Sequence, residues 1–447
     1  MTHPLRSYQA ELIASAREQY RQGHRSILIV LPTGGGKTRV GSEFVRGAVA
    51  KGGRVLWLAH RRELIAQAHG RLAADGCGRV GVVAASLPQL TDHGAPVQVA
   101  SLQTLASRGQ LPDASLVVFD EAHHYVASEW HEVARKYAHA TRLGLTATPQ
   151  RSDGVGLGDL FTSLVVGATI PELTQQGFLV KCEVQAPDKF LRGHLAKTPA
   201  EAWVQAGRPR SVVFCRSLAH SEEVITELRA VGARVADIDG STPSELRESR
   251  LKSFHNGELD VIVNVFVLTE GWDCPAAECC ILARPTKSPS VFLQMVGRVL
   301  RPAEGKKRAL LLDLPGCTWL PEIDLPDDER EYSLEGSGIK KPVEKSPIRQ
   351  CNSCGLVSRA GAPVCQHCGA AWPVDPTLIP KVDGRDLLLR SQLAAAARHS
   401  AATGRDEKIK YLREQQAIAT VRGYKPHWAS WQFKKKFGSF PWELRIK

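Results

Sequence analysis

The chain has 447 residues and a formal net charge of +12, long enough for two or three domains with cores of their own. Its 43% hydrophobic and 23% charged content is that of a soluble globular protein rather than a disordered or fibrous one, and no apolar run approaches the roughly 18 residues that span a bilayer. The opening "MTHPLRSYQAEL" carries no basic-then-apolar signal pattern, so the expectation is a cytoplasmic protein.

From the start, strand-like runs alternate with helical stretches. Strands read at "SILIVL" (26–31), "RVLWLA" (54–59), "VQVAS" (97–101), "LVVFD" (116–120) and "LGLTA" (143–147). Helices fit "KTRVGSEFVRGAVA", "RELIAQAHGRLAA" and "SEWHEVARKYAHA" between them. Such alternation predicts a parallel sheet covered on both faces.

Two stretches in this half carry chemistry. "LPTGGGKT", residues 31–38, joins the first strand to the first of these helices. A Gly-rich turn at a helix N-terminus can aim backbone N–H groups at an anion. Pro32, Thr33, Gly34, Gly35 and Gly36 would form the cradle, Lys37 would supply a cation for terminal phosphates, and the Thr38 hydroxyl could ligate Mg²⁺. The strict pattern GxxxxGK[ST] is not met, because Leu31 stands at the first glycine. The second stretch is "LVVFDEAHH", where Asp120 and Glu121 leave an apolar strand. Asp120 could hold Mg²⁺ and Glu121 could polarise water, or the two acids could cap a following helix.

The rhythm then repeats. "SVVFC" (211–215), "RVADI" (234–238), "DVIVNV" (260–265), "CCILA" (279–283) and "ALLLDL" (309–314) are predicted strands, with helices at "SLAHSEEVITELRAVG", "PSELRESRLKSFHNG" and "SPSVFLQMVGRVLRP". The pattern weakens around 183–202, so the division predicted is 1–182 and 183–320, with a cleft between two α/β domains. In the last of these helices Gln294, Arg298 and Arg301 fall at spacings of four, three and seven, which on a continuous helix puts them on one face.

Residues 321–348 are rich in charge, Pro and Gly and read as a linker or mobile insertion. The segment 349–372 contains "CNSCGLVSRAGAPVCQHCG", a C-x₂-C-x₁₀-C-x₂-C pattern. Cys351, Cys354, Cys365 and Cys368 can enclose a tetrahedral Zn²⁺. His367 could replace one thiolate, and four sulfurs are the preferred set. From Lys381 onward 15 Lys/Arg stand against 6 Asp/Glu, a net of +9, which points to a polyanion. "GYKPHWASWQFKKKFGSFPWELR" interleaves aromatics with Lys434, Lys435 and Lys436. The lysines could meet phosphates while the aromatics stack on bases, or the aromatics could be the core of a small helical subdomain spanning 373–447.

"DEAH" after this phosphate loop resembles the superfamily two helicases and translocases, in which the first P-loop glycine is often replaced. Other stretches match in order over residues 1 to about 315. "LRSYQAEL" resembles the Q motif, which implies that Gln9 reads adenine with help from Arg6 or Tyr8. "LAHRREL" and "ASLQTLA" resemble motifs that touch a nucleic-acid backbone, which implies roles for Arg61, Ser101 and Thr104. "LTATP", with Thr146 and Thr148, resembles motif III, which couples hydrolysis to domain movement, and His123 is implied in the same coupling. "VVFCRS", with Arg216, resembles motif IV. "NVFVLTEGWDCP" resembles motif V, which puts Gly271 and Asp273 at the nucleotide edge. "QMVGRVLRP" resembles motif VI, which implies that Arg298 and Arg301 act as arginine fingers and Gln294 in coupling. Cysteine knuckles with a Trp-rich ending are similar to the RadD-type helicases of bacteria and phages. The resemblance implies an ATP-dependent helicase or translocase of tandem RecA-like folds, using ATP, Mg²⁺ and Zn²⁺. It would act on DNA in repair, recombination or replication, beside proteins of those processes. The alternatives are an RNA helicase and a nucleic-acid-binding ATPase switch that does not unwind.

Overall fold

The computed structural model describes residues 4–108, 111–124, 135–151, 154–187, 196, 198–335, 348–351, 353–359, 364–371, 411–416, 419 and 428–437. By its contacts the chain divides into two compact units, Met1–Trp372 and Pro373–Lys447.

Two parallel sheets organise the first unit. The first has seven strands in the order β3-β4-β2-β5-β6-β1-β7. These are β1 (Ser26–Val30), β2 (Val55–Ala59), β3 (Val80–Val83), β4 (Val97–Ser101), β5 (Leu116–Asp120), β6 (Thr141–Thr146) and β7 (Ser163–Val166). The second has six, in the order β10-β11-β9-β12-β13-β8. They are β8 (Lys181–Gln185), β9 (Ser211–Cys215), β10 (Val235–Ile238), β11 (Val261–Asn264), β12 (Cys279–Ala283) and β13 (Arg308–Asp313). Strands such as β1 (SILIV) and β9 (SVVFC) are buried at every position, because helices cover both faces of a parallel sheet and leave no wet side. This is the tandem RecA-like arrangement.

Register sets the site. Val30 of β1 pairs with Thr146 of β6, and Asp120 of β5 pairs with Leu145. The loop after β1, the acids after β5 and the threonines at the end of β6 therefore emerge side by side at the carboxyl edge, where open α/β sheets bind ligands.

Three differences from the sequence reading stand out. The division expected at 182/183 cuts through β8, which pairs with β13 and belongs to the second sheet. The helix expected to carry Gln294, Arg298 and Arg301 runs only from Pro289 to Gly297. Arg298 is its C-cap, the amides of Arg298 and Val299 turn to i−3 carbonyls, and Pro302 follows Arg301, a position whose predecessor is disfavoured in a helix. Residues 321–335 of the expected linker lie against the core. Trp319 Nε1, just before them, donates to the Pro187 carbonyl. Arg330 donates to the carbonyls of Leu325, Pro326 and Asp328, and the Gly158 amide donates to the Leu334 carbonyl. The stretch passes from the second sheet back to the first domain. Residues 336–347 of that linker lie outside the described residues, as does most of the helix expected at 128–140.

A hairpin of β14 (Ile348–Gln350) and β15 (Val357–Arg359) holds Cys351 and Cys354 in its turn, and Cys365 and Cys368 follow it. It docks on the free edge of the second sheet: Leu356 bridges Gln185 of β8, and Gln350 Nε2 donates to the Ala186 carbonyl at 2.9 Å. An open strand edge is a template for unwanted pairing, and here the hairpin covers it. In the second unit the described part includes the helix Trp428–Phe437, and Phe433 is buried with its ring centroid 6.5 Å from that of Tyr411. The aromatics there form at least a local core. No helix among the described residues is long and apolar enough to cross a membrane.

Candidate active site

The loop Leu31–Gly36 bends through Gly34 at φ +90° and Gly36 at φ +84°, a backbone region that glycine enters without penalty. Gly35 is needed for space: a Cβ there would sit 2.7 Å from Leu31 Cγ. Leu31 thus fills the volume against the loop. Helix α2 (Lys37–Val49) starts with no side-chain cap on Gly36, which leaves its first N–H groups open to an anion. Behind the loop lies the end of helix α1 (Ser7–Arg21). Tyr8 Oη and Gln9 Nε2 both donate to the Gly35 carbonyl, at 2.8 and 3.1 Å. Gln9 Oε1 accepts from the Arg6 amide, and the Arg6 guanidinium stacks 4.3 Å from the Phe178 ring centroid. The Q-like stretch therefore braces the loop directly.

Opposite stands the acid pair. Lys37 Nζ is 3.2 Å from Glu121 Oε1. Asp120 is buried, and that burial, together with the Glu121 carboxylate, pushes it up to about 7. Burial also works to raise Glu121, but the positive charge of Lys37 beside it outweighs this and holds Glu121 below its ordinary value. Glu121 Oε2 is buried and takes no hydrogen bond, and the residue has φ +48°, a costly conformation for a side chain that persists only when the surroundings fix it.

From this pair a chain of contacts crosses to the second domain. His123 Nδ1 is 3.0 Å from Thr146 Oγ1 and 3.6 Å from Glu121 Oε2. Gln294 Nε2 donates to His123 Nε2 at 2.7 Å, so Nε2 accepts and Nδ1 carries the proton. Burial, then His124, lowers His123 to about 4, which keeps the ring neutral. Thr146 Oγ1 donates to the Thr148 carbonyl at 2.6 Å, and Thr148 Oγ1 donates to Ser290 Oγ across the cleft at 2.7 Å.

The arginines are placed differently from each other. Arg298 is buried, and its guanidinium donates to the carbonyls of Trp272 at 2.7 Å and Gln294 at 3.3 Å. Arg301 is paired with Asp273 and lies over the phosphate loop. Its Cγ and Nε would be 3.4 and 3.6 Å from a Cβ on Gly34. Gly297 lets the helix end approach, since a Cβ there would sit 2.6 Å from Thr33 Cβ. Gly271 faces the first domain, its carbonyl accepting from Gln67 Nε2.

The residues implied in nucleic-acid contact come from several elements of the two units. Arg61 donates to the carbonyls of Phe266 and Val267 in the second domain, at 3.2 and 3.4 Å. Ser101 Oγ accepts from the Thr104 amide, and Thr104 Oγ1 accepts from Ala85. The Arg216 amide donates to His220 Nδ1 in the second domain. Lys434, Lys435 and Lys436 fall in the helix Trp428–Phe437, with side chains outside the described residues. The cysteines do converge. The Sγ atoms of Cys351 and Cys368 are 3.7 Å apart, those of Cys354 and Cys365 likewise, and all four lie within 4.8 Å of one another. His367 Nε2 is directed to the Val357 carbonyl at 3.3 Å.

Sequence reading passed over three groups. His60, His124 and Glu270 meet at the domain boundary although each lies inside a quoted motif. Lys306 Nζ donates to the carbonyls of Pro275, Ala277 and Arg301 and so ties the Asp273 loop to the arginine segment. Asp328, Arg330 and Tyr332 help line a cavity of about 30 Å³ with Thr33, Gly297 and Leu300. No local pattern announced the last two, because carbonyl partners and strap packing leave no signature in spacing.

Residues 2–151 match the family model described as type III restriction enzyme, res subunit, and residues 197–303 match the helicase conserved C-terminal domain. The chain is 29% identical over 377 residues to the "51.5 kDa protein" of a Lactococcus phage (isolate 7-9), covering 78% of each chain. It is 26% identical to the "DNA 3'-5' translocase XPB2" of Sulfurisphaera tokodaii, over 69% of this chain and 81% of that one. It spans 62% and 53% of the length of two yeast relatives, from Schizosaccharomyces pombe and Saccharomyces cerevisiae. Among solved structures, the ATP-dependent Type ISP restriction-modification enzyme LlaBIII bound to DNA superposes with a TM-score of 0.55 at 18% identity, over 69% of this chain and 28% of that one. The chain belongs to the superfamily two helicases, a class of nucleic-acid-dependent ATPases that use ATP with Mg²⁺.

Proposed function

We propose that the protein is an ATP-driven motor that moves along DNA and separates or remodels duplexes in repair, recombination or replication. The observation that carries the reading is the contact chain Lys37–Glu121–His123–Gln294, which joins the phosphate loop of one sheet to the arginine segment of the other. A hydrolysis site wired in this way to a second domain can turn nucleotide chemistry into domain movement.

Glu121 is the general base. Its Oε2 has no competing donor, and its depressed pKa keeps it ready to take a proton from water. Lys37 and the open N-terminus of α2 orient the phosphates. Arg301 meets the γ-phosphate from across the cleft, and Arg298 fixes the Gln294 and Trp272 backbone beneath it and adds positive field at Glu121. Gln9, with Arg6, reads adenine at the loop it already braces. Thr38 and Asp120 suit Mg²⁺: a buried carboxyl pushed up to about 7 without a cation gains most from one. Bound Mg²⁺ supplies neutralisation of phosphate charge.

Cys351, Cys354, Cys365 and Cys368 fit a closed structural Zn²⁺ site, as four converging sulfurs leave no position for water. DNA rather than RNA is favoured by the archaeal relative named as a DNA translocase. Arg61, Ser101, Thr104, Arg216 and the tail lysines are the proposed strand contacts. The seven cysteines outside the quartet are buried thiols, in keeping with a reducing cytoplasm.

ATP turnover with single-stranded DNA, duplex DNA and RNA, beside a strand-separation assay, tests the proposal. DNA should stimulate most. Glu121→Gln should keep nucleotide binding and lose turnover by roughly 10²-fold or more. Wild-type turnover in that variant rejects Glu121 as the base. Stimulation by RNA alone makes this an RNA helicase, and turnover without strand separation makes it a translocase or switch.

A further inference from the structure

We propose that His60, His124 and Glu270 form a site for a divalent transition-metal ion that bridges the two domains. The three side chains come from different segments. His60 follows β2, His124 follows the acid pair after β5, and Glu270 lies in the loop after β11 of the second domain. His60 Nε2 is 2.9 Å from Glu270 Oε2, and His124 Nε2 is 2.5 Å from Glu270 Oε1. The two imidazole rings are tilted with centroids 4.1 Å apart. One donor atom from each residue lies within 4.8 Å of the other two, close enough for a single ion with bonds near 2.0–2.2 Å to collect all three.

The donor set selects the ion. Two imidazoles and one carboxylate suit Zn²⁺, Co²⁺, Ni²⁺ or Fe²⁺ and disfavour Mg²⁺ and Ca²⁺, which prefer oxygen throughout. Three protein ligands leave a coordination position open. Two neighbours bear on the site. Arg61 Nε lies 3.6 Å from Glu270 Oε2, and its guanidinium is also engaged by the Phe266 and Val267 carbonyls, so it flanks the carboxylate without closing over it. His123 Nε2 is 4.0 Å from Glu270 Oε1, and that nitrogen already accepts from Gln294. The ion would therefore sit beside the Glu121–His123–Gln294 chain. With two ligands from one domain and one from the other, it would hold the domains in the arrangement seen here and slow their separation.

The test uses the full chain with its cysteine quartet saturated with zinc. Co²⁺ is then titrated and followed by visible absorption and by bound metal after desalting. The expected result is one further equivalent at submillimolar Co²⁺, with ligand-field bands but no thiolate charge-transfer band. His60→Gln, His124→Gln and Glu270→Gln should each lose that equivalent and keep the first zinc, with far-UV circular dichroism and the thermal transition showing that each variant is folded. Zn²⁺ should compete for the same equivalent and Mg²⁺ should not. Because the three residues sit in three segments, one folded variant is enough. A second equivalent that survives in folded variants overturns the proposal. So does a wild type that takes none, which would make the cluster a histidine–carboxylate hydrogen-bond latch.

Discussion

His123 is the residue on which the two domains turn. Its ring is neutral, held at about 4 by burial and by His124, against 6.5 for the free side chain. Between those values the unfolded chain binds a proton here that the folded chain refuses, so stability rises with pH across the window and is lost as pH falls from 6.5 towards 4. Asp120 runs the other way: raised to about 7 from 3.8, its contribution is present below 3.8 and is lost as pH rises to 7. The informative quantity is therefore the difference between wild type and His123→Asn. That difference in Tm should shrink as pH is lowered from about 7 to about 5. A difference that grows as pH is lowered means that the folded ring is charged and that the Gln294 bond runs the other way, and a difference independent of pH means that folding does not shift His123.

At the scale of elements, two joints can be tested, one at the site and one away from it. One is the meeting of Gly297 with Thr33. Gly297→Ala would force a Cβ to within 2.6 Å of Thr33 Cβ, and overpacking of this kind costs about 1–3 kcal/mol. Turnover should drop while far-UV circular dichroism is unchanged. Normal turnover would mean that loop and helix end are apart in the working state. The other joint is the cysteine hairpin on β8. One zinc per chain should copurify, and Cys351→Ser should release it while leaving nucleotide turnover in the absence of DNA intact. Elemental analysis without zinc rejects the site. The same scale shows what could be read in advance. The central strands were legible because a strand buried on both faces is nearly all apolar, as in SILIV and LVVFD. The strands that went unread in the helicase domains, β3, β7 and β8, all lie at sheet edges. Their burial is broken by exposed or half-exposed positions, which dilutes the hydrophobic signal. The meeting of the loop 31–36 with the Asp120–Glu121 pair was legible because each lies at the carboxyl end of a central strand. The Arg298 and Arg301 geometry was not, since the i−3 turn and Pro302 end the helix that their spacing assumed.

For the molecule as a whole, the informative feature is the uneven distribution of charge along the sequence. Removing residues 381–447 takes away a net +9. DNA affinity should fall, and its dependence on salt should flatten by roughly 0.7 to 0.9 log units per lost phosphate contact. Replacing Lys434, Lys435 and Lys436 by Ala should give part of that change. A truncated protein with the same affinity and the same salt slope makes the tail a docking element for another protein. The course of the chain between the helicase domains has a separate consequence. The polypeptide passes from the first domain to the second between β7 and β8, and then returns along 320–335 to end on Gly158 of the first. The two crossings traced by the described residues join the domains like a pair of hinge pins. Such a pair should permit rotation about the line that joins them and resist wide separation, and so should confine each ATP cycle to a narrow arc.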